Sequence, residues 1–501
     1  MAGYYVEAEH FISVAFIGWV NLFAGVDMSM SAVKKAFSVI SCLFLLGCAR
    51  NQVENEFQGY PGVSRATSKG YAAATNASDA PTLPELNESS GVSDYLAYAA
   101  LNNPGLQAAF DRWKAALERV PQVKALPDPR FNYRYFIEEV ETRLGPQRQS
   151  YGISQLFPWF GKLELRGDVA MQAAHAAKKR YEAARLKLFF EVRDAYYEYY
   201  YLGKSLAITE QNVKLIAHLE NVARSRYKAA AASHPDVIRA QVEAGKLEDR
   251  QQTLLDLREV IAARLNTALN RPVDMDIPWP AEVEVEDVNI TEARMLAEMV
   301  RHNPDLGTLD FEITKGKRGV DLAKKDYWPD FSLGFDVVDT DDSPVGSPGD
   351  NGKDAVIAGV TVAVPFWRDK YDAGVREALA RYYAATRDRR EKENALESQL
   401  KMAIYRFRDS QRKIDLYRDA LVPKAQESLR VTESAFRAGT GSFADLIDAQ
   451  RILLEFSLAC ERALADCGQS LAKLEMLAGR RISAKGNKTA GSNVITNRID
   501  Q

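Results

Sequence analysis

The second half of this chain repeats the first about two hundred residues later. Asn103, Pro104 and Leu106 of NNPGL return as Asn303, Pro304 and Leu306 of HNPDL, an offset of 200. Pro127 and Asp128 return as Pro329 and Asp330, 202 residues on. QLFPWFGKLELRG around Pro158 returns as VAVPFWRDKYDAG around Pro365, 207 on. RYKAAAASHPDVIRAQ, ending at Gln241, returns as AFRAGTGSFADLIDAQ, ending at Gln450, 209 on. Solenoid units run only about 20–50 residues. A period this long is a duplicated domain whose register survives small insertions, so both copies must build the same elements in the same order.

Within each copy the patterning changes twice. Leu96, Ala100, Leu106, Ala109, Trp113 and Leu117 recur at helical spacing, which predicts a helix over 94–124, ended by Pro127 and Pro129. Aromatic and β-branched residues over 130–137 then favour a strand, and a second is expected over 150–157, closed by Pro158. In the second copy Phe331, Leu333, Phe335 and Val337 alternate with Ser332, Gly334 and Asp336; Val356, Ala358, Val360, Val362 and Val364 alternate with Gly359 and Thr361. Alternation over about ten residues suits a tilted transmembrane strand. After each strand pair comes a long helix: 162–229 contains no proline, and 369–438 only Pro423. At about 1.5 Å per residue the first would reach roughly 100 Å, a length that needs partner helices throughout, as in coiled coils. Each returns through a short turn as a second helix, to about Asn270 and about Gly479. The expected class is mainly α with long coiled-coil helices plus four strands per chain. The expected boundaries are a leader over 1–47, a linker over 48–92, copies over 93–290 and 291–480, and a loose tail over 481–501.

Charge narrows the function. Lys plus Arg number 65 against 68 Asp plus Glu, a net charge of −3, which leaves no basic footprint for nucleic acid. The mean hydropathy of −0.29 and the lack of a long apolar run after the leader predict no transmembrane helix in the mature chain. Barrel strands leave only a weak hydropathy trace, so a membrane protein stays open. Lys34 and Lys35 precede the apolar run 36–46, which ends in Leu45, Leu46, Gly47 and Cys48, the pattern of a secretory signal. The ending resembles the bacterial lipobox, which implies acylation of Cys48, and Ala49 resembles the outer-membrane sorting signal; the expected translation start is Met28 or Met30. Cys460 and Cys467 lie two helical turns apart, too far for a disulfide, and are expected to be buried small hydrophobes.

Signatures of catalysis are absent: no G-x-S-x-G, Walker loop, H-E-x-x-H or CxxC, and the five histidines show no ligand spacing. Neither a metal nor a cofactor is expected. Aromatics gather where strands meet helices: Phe157, Trp159 and Phe160 at one strand end, Tyr327 and Trp328 at a strand start, Phe366 and Trp367 at another end. Amphipathic rings there suit a girdle at a membrane interface, although packing around proline turns would also use them. At the far helical turns Ser233 precedes Asp236, and Ser442 precedes Asp445, by three residues. A capping box accounts for both acids, but not for Asp448 one turn further on. In a symmetric ring such acids would face the axis and form a cation-attracting constriction.

Over about 93–480 this order of motifs resembles the TolC family of bacterial outer-membrane efflux proteins. The marks are the paired N-P-x-L helices, the strand pairs, the FPWFGK and VPFW junctions and the DLIDA tip. The resemblance implies a homotrimer with a 12-stranded barrel, continued by the helices as a periplasmic tunnel. It places Asp445 and Asp448 at an acidic ring on the periplasmic aperture and Asp236 at a brace of the closed state. This chain departs from the family at the tip: Gly441 stands where some members carry an arginine, and Phe436 where they carry a tyrosine. Its tips also differ from each other, with Ala230 against Gly439 and Arg239 against Asp448. The function implied is an outer-membrane exit duct working with a periplasmic adaptor and an inner-membrane pump of the resistance-nodulation-division type, exporting drugs, metal ions or other small toxic solutes. The alternatives are an exit duct for type I protein secretion and a periplasmic coiled-coil scaffold held by its lipid. A scaffold, however, has no use for alternating strands bounded by aromatics.

Overall fold

In a computed structural model, the structure describes residues 85–482 except 230–232, 281, 284–287, 289, 344–348 and 350. The leader, Cys48 and most of the linker and tail lie outside the described residues. All described residues belong to one unit, Arg65–Gln501. Both copies run helix, helix, strand, strand, long helix, return helix. The first contains α1 (Val92–Asn102), α2 (Pro104–Lys124), β1 (Arg130–Val140), β2 (Gln147–Phe157), α3 (Lys162–Lys228) and α4 (His234–Leu269). The second contains α5 (Glu292–His302), α6 (Pro304–Lys325), β3 (Asp330–Thr340), β4 (Ala355–Ala363), α7 (Arg368–Leu416), a π-helical turn (Tyr417–Leu421), α8 (Val422–Ala438) and α9 (Phe443–Ala478).

The single helix expected over 94–124 is two helices, and the repeated Asn-Pro explains the break. The Asn103 side chain accepts the Leu106 N–H at 3.0 Å, capping α2, and Pro104 occupies the first turn, where its missing N–H costs nothing. The same amide donates to the Ala268 carbonyl at the end of α4, at 3.2 Å. Asn303 repeats both roles: it accepts from Asp305 and Leu306 and donates to the Leu477 carbonyl of α9 at 2.9 Å. One side chain thus caps a helix start and satisfies a helix end that would otherwise lack a partner.

The expected continuous helix over 369–438 is also interrupted. The π-helical turn comes just before Pro423, which sits in the first turn of α8 rather than inside a helix. A π turn takes up extra residues without ending a helix. The offset between copies grows from 207 to 209 along this stretch, and the turn is where the second copy deviates from the unbroken α3.

Buried positions follow a 3–4 spacing: Leu188, Val192, Ala195, Tyr199 and Leu202 on α3, and Leu396, Leu400, Ala403, Phe407, Ser410 and Ile414 on α7. That is the seam of a coiled coil. One apolar cluster joins α5, α6, α7 and α9 through Met299, Leu306, Phe407 and Leu474. Another joins the tips through Leu219, Val237, Phe436 and Leu446. Cys467 is buried in the first, and burial pushes its thiol up to about 11, which keeps it protonated and inert. Cys460 departs from expectation by being only half-buried.

The strands form one antiparallel sheet in the order β1-β2-β3-β4. They run beyond the expected limits, β1 to Val140 through an irregularity after Tyr135, and β2 from Gln147. Pairing of Phe131 with Ile153, Ile153 with Phe335 and Phe335 with Ala358 carries one face across all four strands. That face presents Phe131, Tyr133 and Tyr135, then Gln149, Tyr151, Ile153, Gln155 and Phe157, then Phe331, Leu333, Phe335 and Val337, then Val356, Ala358, Val360 and Val362, so it is apolar but for two glutamines of β2. The opposite face carries Asn132 and Arg134, Ser150 and Ser154, Ser332 and Asp336, and Thr361. On this face Tyr135 is 66% and Val360 68% exposed among the described residues. Among the described residues, no helix is long and apolar enough to cross a membrane.

Candidate functional site

Two places carry the residues singled out by sequence, one at each end of the long helices. The first is the root of the sheet. Gly161 adopts the left-handed conformation (φ 82°), which turns the chain sharply from β2 into α3. The turn delivers Lys162, 4% exposed, to Asp330 at the start of β3: Nζ donates to Asp330 Oδ1 at 2.8 Å and to the Trp328 carbonyl at 3.1 Å. The Trp159 N–H donates to the same carboxylate oxygen at 2.8 Å. A buried ammonium is tolerable only with such partners, so the lysine of FPWFGK ties the two copies where strands become helices.

Around this clamp Trp159 stacks on Trp328 with centroids 5.1 Å apart, and Phe157 stacks on Phe331 at 5.5 Å. Trp159 and Phe157 thus pack against aromatic partners of the second copy. Trp367 is different: it is 73% exposed and its ring contact is an edge-to-face one with the equally exposed Phe366. Trp328 keeps about half its surface open.

The second place is the pair of helical tips. Asp236 is taken up by its cap: its Oδ2 accepts the Ser233 N–H at 3.2 Å and the Ser233 hydroxyl at 2.7 Å. Asp445 is not used in this way. Ser442 accepts the Asp445 N–H at 3.3 Å, but the carboxylate stays exposed. Asp448, 67% exposed, lies 3.4 Å from Arg451, whose other terminal nitrogen donates to Glu243 of α4 at 2.5 Å. Glu243 is 7% exposed. Its carboxyl is held below the usual glutamate range by the Arg451 hydrogen bond, against the opposing effect of burial, with Lys246 adding to the depression. Asp445 and Asp448 share one helix face, so structure unites these two and leaves Asp236 to its own turn.

Arg226 is the tip residue that sequence reasoning missed. It lies in the last turn of α3, donates to the Phe436 carbonyl in the last turn of α8, and holds its guanidinium 4.6 Å from the Phe436 ring centre. Phe436 in turn packs on Phe443. A cation beside the carbonyl ends of two helices also answers both helix dipoles. Gln450 to Asn212, at 2.7 Å, adds a third tie between the hairpins. Among the described residues no three His, Cys, Asp or Glu side chains form a metal-binding group.

Residues 96–271 and 295–480 match the family described as Outer membrane efflux protein. The chain is 22% identical over 416 residues to Nodulation protein T of Rhizobium leguminosarum bv. trifolii, covering 77% of this chain and 85% of that protein. It is 20% identical over 176 residues to the Toluene efflux pump outer membrane protein TtgC of Pseudomonas putida, covering 35% of this chain and 36% of the relative. The outer membrane protein VceC of Vibrio cholerae shares the fold with a TM-score of 0.65 at 16% identity, over 78% of this chain and 97% of that one. CusC does so with a TM-score of 0.66 at 14% identity, over 80% and 96%. Family and structural neighbours are channels rather than enzymes. The duplicated helices and four-stranded sheet therefore mark this chain as a member of the outer membrane efflux protein family, a channel of the bacterial outer membrane.

Proposed function

We propose that this protein is the passive exit duct of a tripartite efflux system, a homotrimer that passes drugs, metal ions or other small toxic solutes from the periplasm to the exterior. One observation carries the reading: a four-stranded sheet with an apolar outer face and open edges stands at the end of helices about 100 Å long. Open strand edges cannot face hydrocarbon, because each unpaired N–H and C=O there costs several kcal/mol. A barrel closed from several copies satisfies them, and strands of 9 to 11 residues suit the height of an outer-membrane band. Trp328, Trp367 and Phe366 then sit at the periplasmic interface of the outer membrane, with Trp159 and Phe157 packed just behind.

Cys48 anchors the chain to lipid, and the helical tips meet a periplasmic adaptor that connects to an inner-membrane pump of the resistance-nodulation-division type. Energy comes from that pump; the duct itself does no chemistry. The relative named as a toluene efflux pump component supports small solutes as cargo. The test is conductance of the purified protein in planar bilayers, paired with growth of a deletion strain on metals, dyes, solvents and antibiotics. Heat-modifiable trimers with ion conductance and a toxin-sensitive deletion strain are expected. A monomer that neither conducts nor protects would overturn the proposal.

A further inference from the structure

The polar face of the sheet carries charges that neither the root nor the tips employ. Strand pairing sets Arg130 in one row with Ser154, Gly334 and Gly359. Four residues along β1, Arg134 stands in a row with Ser150, Val338 and Ala355. In the row between them Asp336 lies opposite Gly152. The charges over this span are thus two arginines of β1 and one aspartate of β3. We infer that Arg130 and Arg134 form a cationic sleeve inside the duct, which holds solutes bearing carboxylate or phosphate groups. This rests on the closed barrel proposed above, because only closure makes this face the wall of a water-filled lumen.

The two signs are not presented alike. Ser154, Gly334 and Gly359 leave the wall bare beside Arg130, and Ser150 and Ala355 are as short beside Arg134. Both arginines are exposed, and neither has an ion pair among the described residues. The Asp336 carboxylate instead lies down over Gly152, in space that a β-carbon there would fill. That acid hugs the wall and is half-buried, whereas the long guanidinium side chains rise above a low floor. The next acid on this face towards the root, Asp330, is taken by Lys162 and the Trp159 N–H. Towards the mouth, Arg148 pairs with Glu139 and Asp341.

Four residues of strand separate the two arginines by about 13 Å. A homotrimer therefore stacks two rings of positive charge over that height, against one ring of acid laid on the wall. Twelve strands spaced about 4.8 Å and tilted near 40° make a backbone cylinder of roughly 12 Å radius. No point of the lumen then lies more than about 1.5 Debye lengths from the wall at physiological ionic strength. Guanidinium forks grip carboxylate and phosphate through paired N–H donors, and rings of arginine are how pores select anions. The sleeve has the opposite sign to Asp445 and Asp448 at the second tip, so an anion is held in the barrel and not at the tips.

The test is block of single channels by tripolyphosphate, with the purified full chain in planar bilayers. Wild type is expected to conduct and to be blocked, less strongly as salt is raised. Arg130→Gln with Arg134→Gln should weaken block by about tenfold or more, the loss of a charge-assisted contact. The same variant should shift the reversal potential in a salt gradient towards cations. Arg130→Lys with Arg134→Lys keeps the charge and should retain most of the block, and Asp336→Asn should strengthen it. A wild type that conducts without tripolyphosphate block, or a glutamine variant blocked as tightly as wild type, would overturn the sleeve and leave the duct standing. Where the glutamine variant does not assemble, an Asp336→Asn channel with no gain of block overturns the sleeve equally. A wild type that does not conduct at all would overturn the duct itself.

Discussion

At the tip, Arg451 serves two acids at once, and they are not equivalent. Glu243 is buried and bonded at 2.5 Å, whereas Asp448 is exposed and 3.4 Å away. The pairing holds the Glu243 carboxyl below its ordinary value of 4.5. A depressed carboxyl contributes stability that is complete above the unfolded-state value and fades as pH falls through the folded-state one. Glu243→Gln is therefore expected to cost about 1–2 kcal/mol at neutral pH. The difference in melting temperature between wild type and variant should shrink as the medium is acidified below the glutamate range. A difference that stays constant from neutral pH into that acid range would show that the ion pair is not its source. Arg226 works beside this pair by other means, bonding a carbonyl and covering a ring. It couples the hairpins through Phe436, one of the two tip positions, with Gly441, where the sequence departs from the pattern of the family it resembles.

The elements differ in how plainly the sequence announced them. Val356, Ala358, Val360 and Val362, with Gly359 and Thr361 between them, wrote β4 into the sequence. The first strand was harder to delimit, since Glu138 and Glu139 break the alternation while the backbone continues to Val140. The π turn was not legible: proline advertised a break at Pro423, but the backbone deviates in the five residues before it. Arg226 was equally hidden, because it bonds a backbone carbonyl 210 residues away and no charged side chain marks the pairing in the sequence. The Asn-Pro repeat was visible as a repeat, yet only the fold shows the asparagine bridging a helix start to a distant helix end. Asn303→Ala removes the cap and the bond to Leu477 and is expected to lower stability by about 2–3 kcal/mol. Asn303→Ser keeps the cap but cannot reach Leu477, so it should fall between. Equal melting temperatures for the two variants would mean that the cap contributes nothing, and a serine variant as stable as wild type would mean the same of the bond to Leu477.

For the whole molecule, a duplication that builds a closed ring must place the two copies' tips alternately around one axis. The first tip offers Asp236, spent on its cap, and the cation Arg239; the second offers Asp445 and Asp448. Asp236 keeps its charge but is matched in number by Arg239, so the net negative charge that these four residues would bring to an aperture comes from the second copy. Within it, Asp448 is partly neutralised by Arg451, whereas Asp445 has no ion pair among the described residues. Charges of one sign ringing a narrow pore raise the local concentration of counter-ions. Asp445→Ala with Asp448→Ala is expected to lower cation selectivity and relieve block by multivalent cations in planar bilayers. Asp445→Ala alone should produce most of that effect. Arg451→Ala, which frees Asp448, should raise cation selectivity above wild type. If the double variant conducts with unchanged selectivity, these acids lie off the conduction path, and the field at the aperture must be set by other residues.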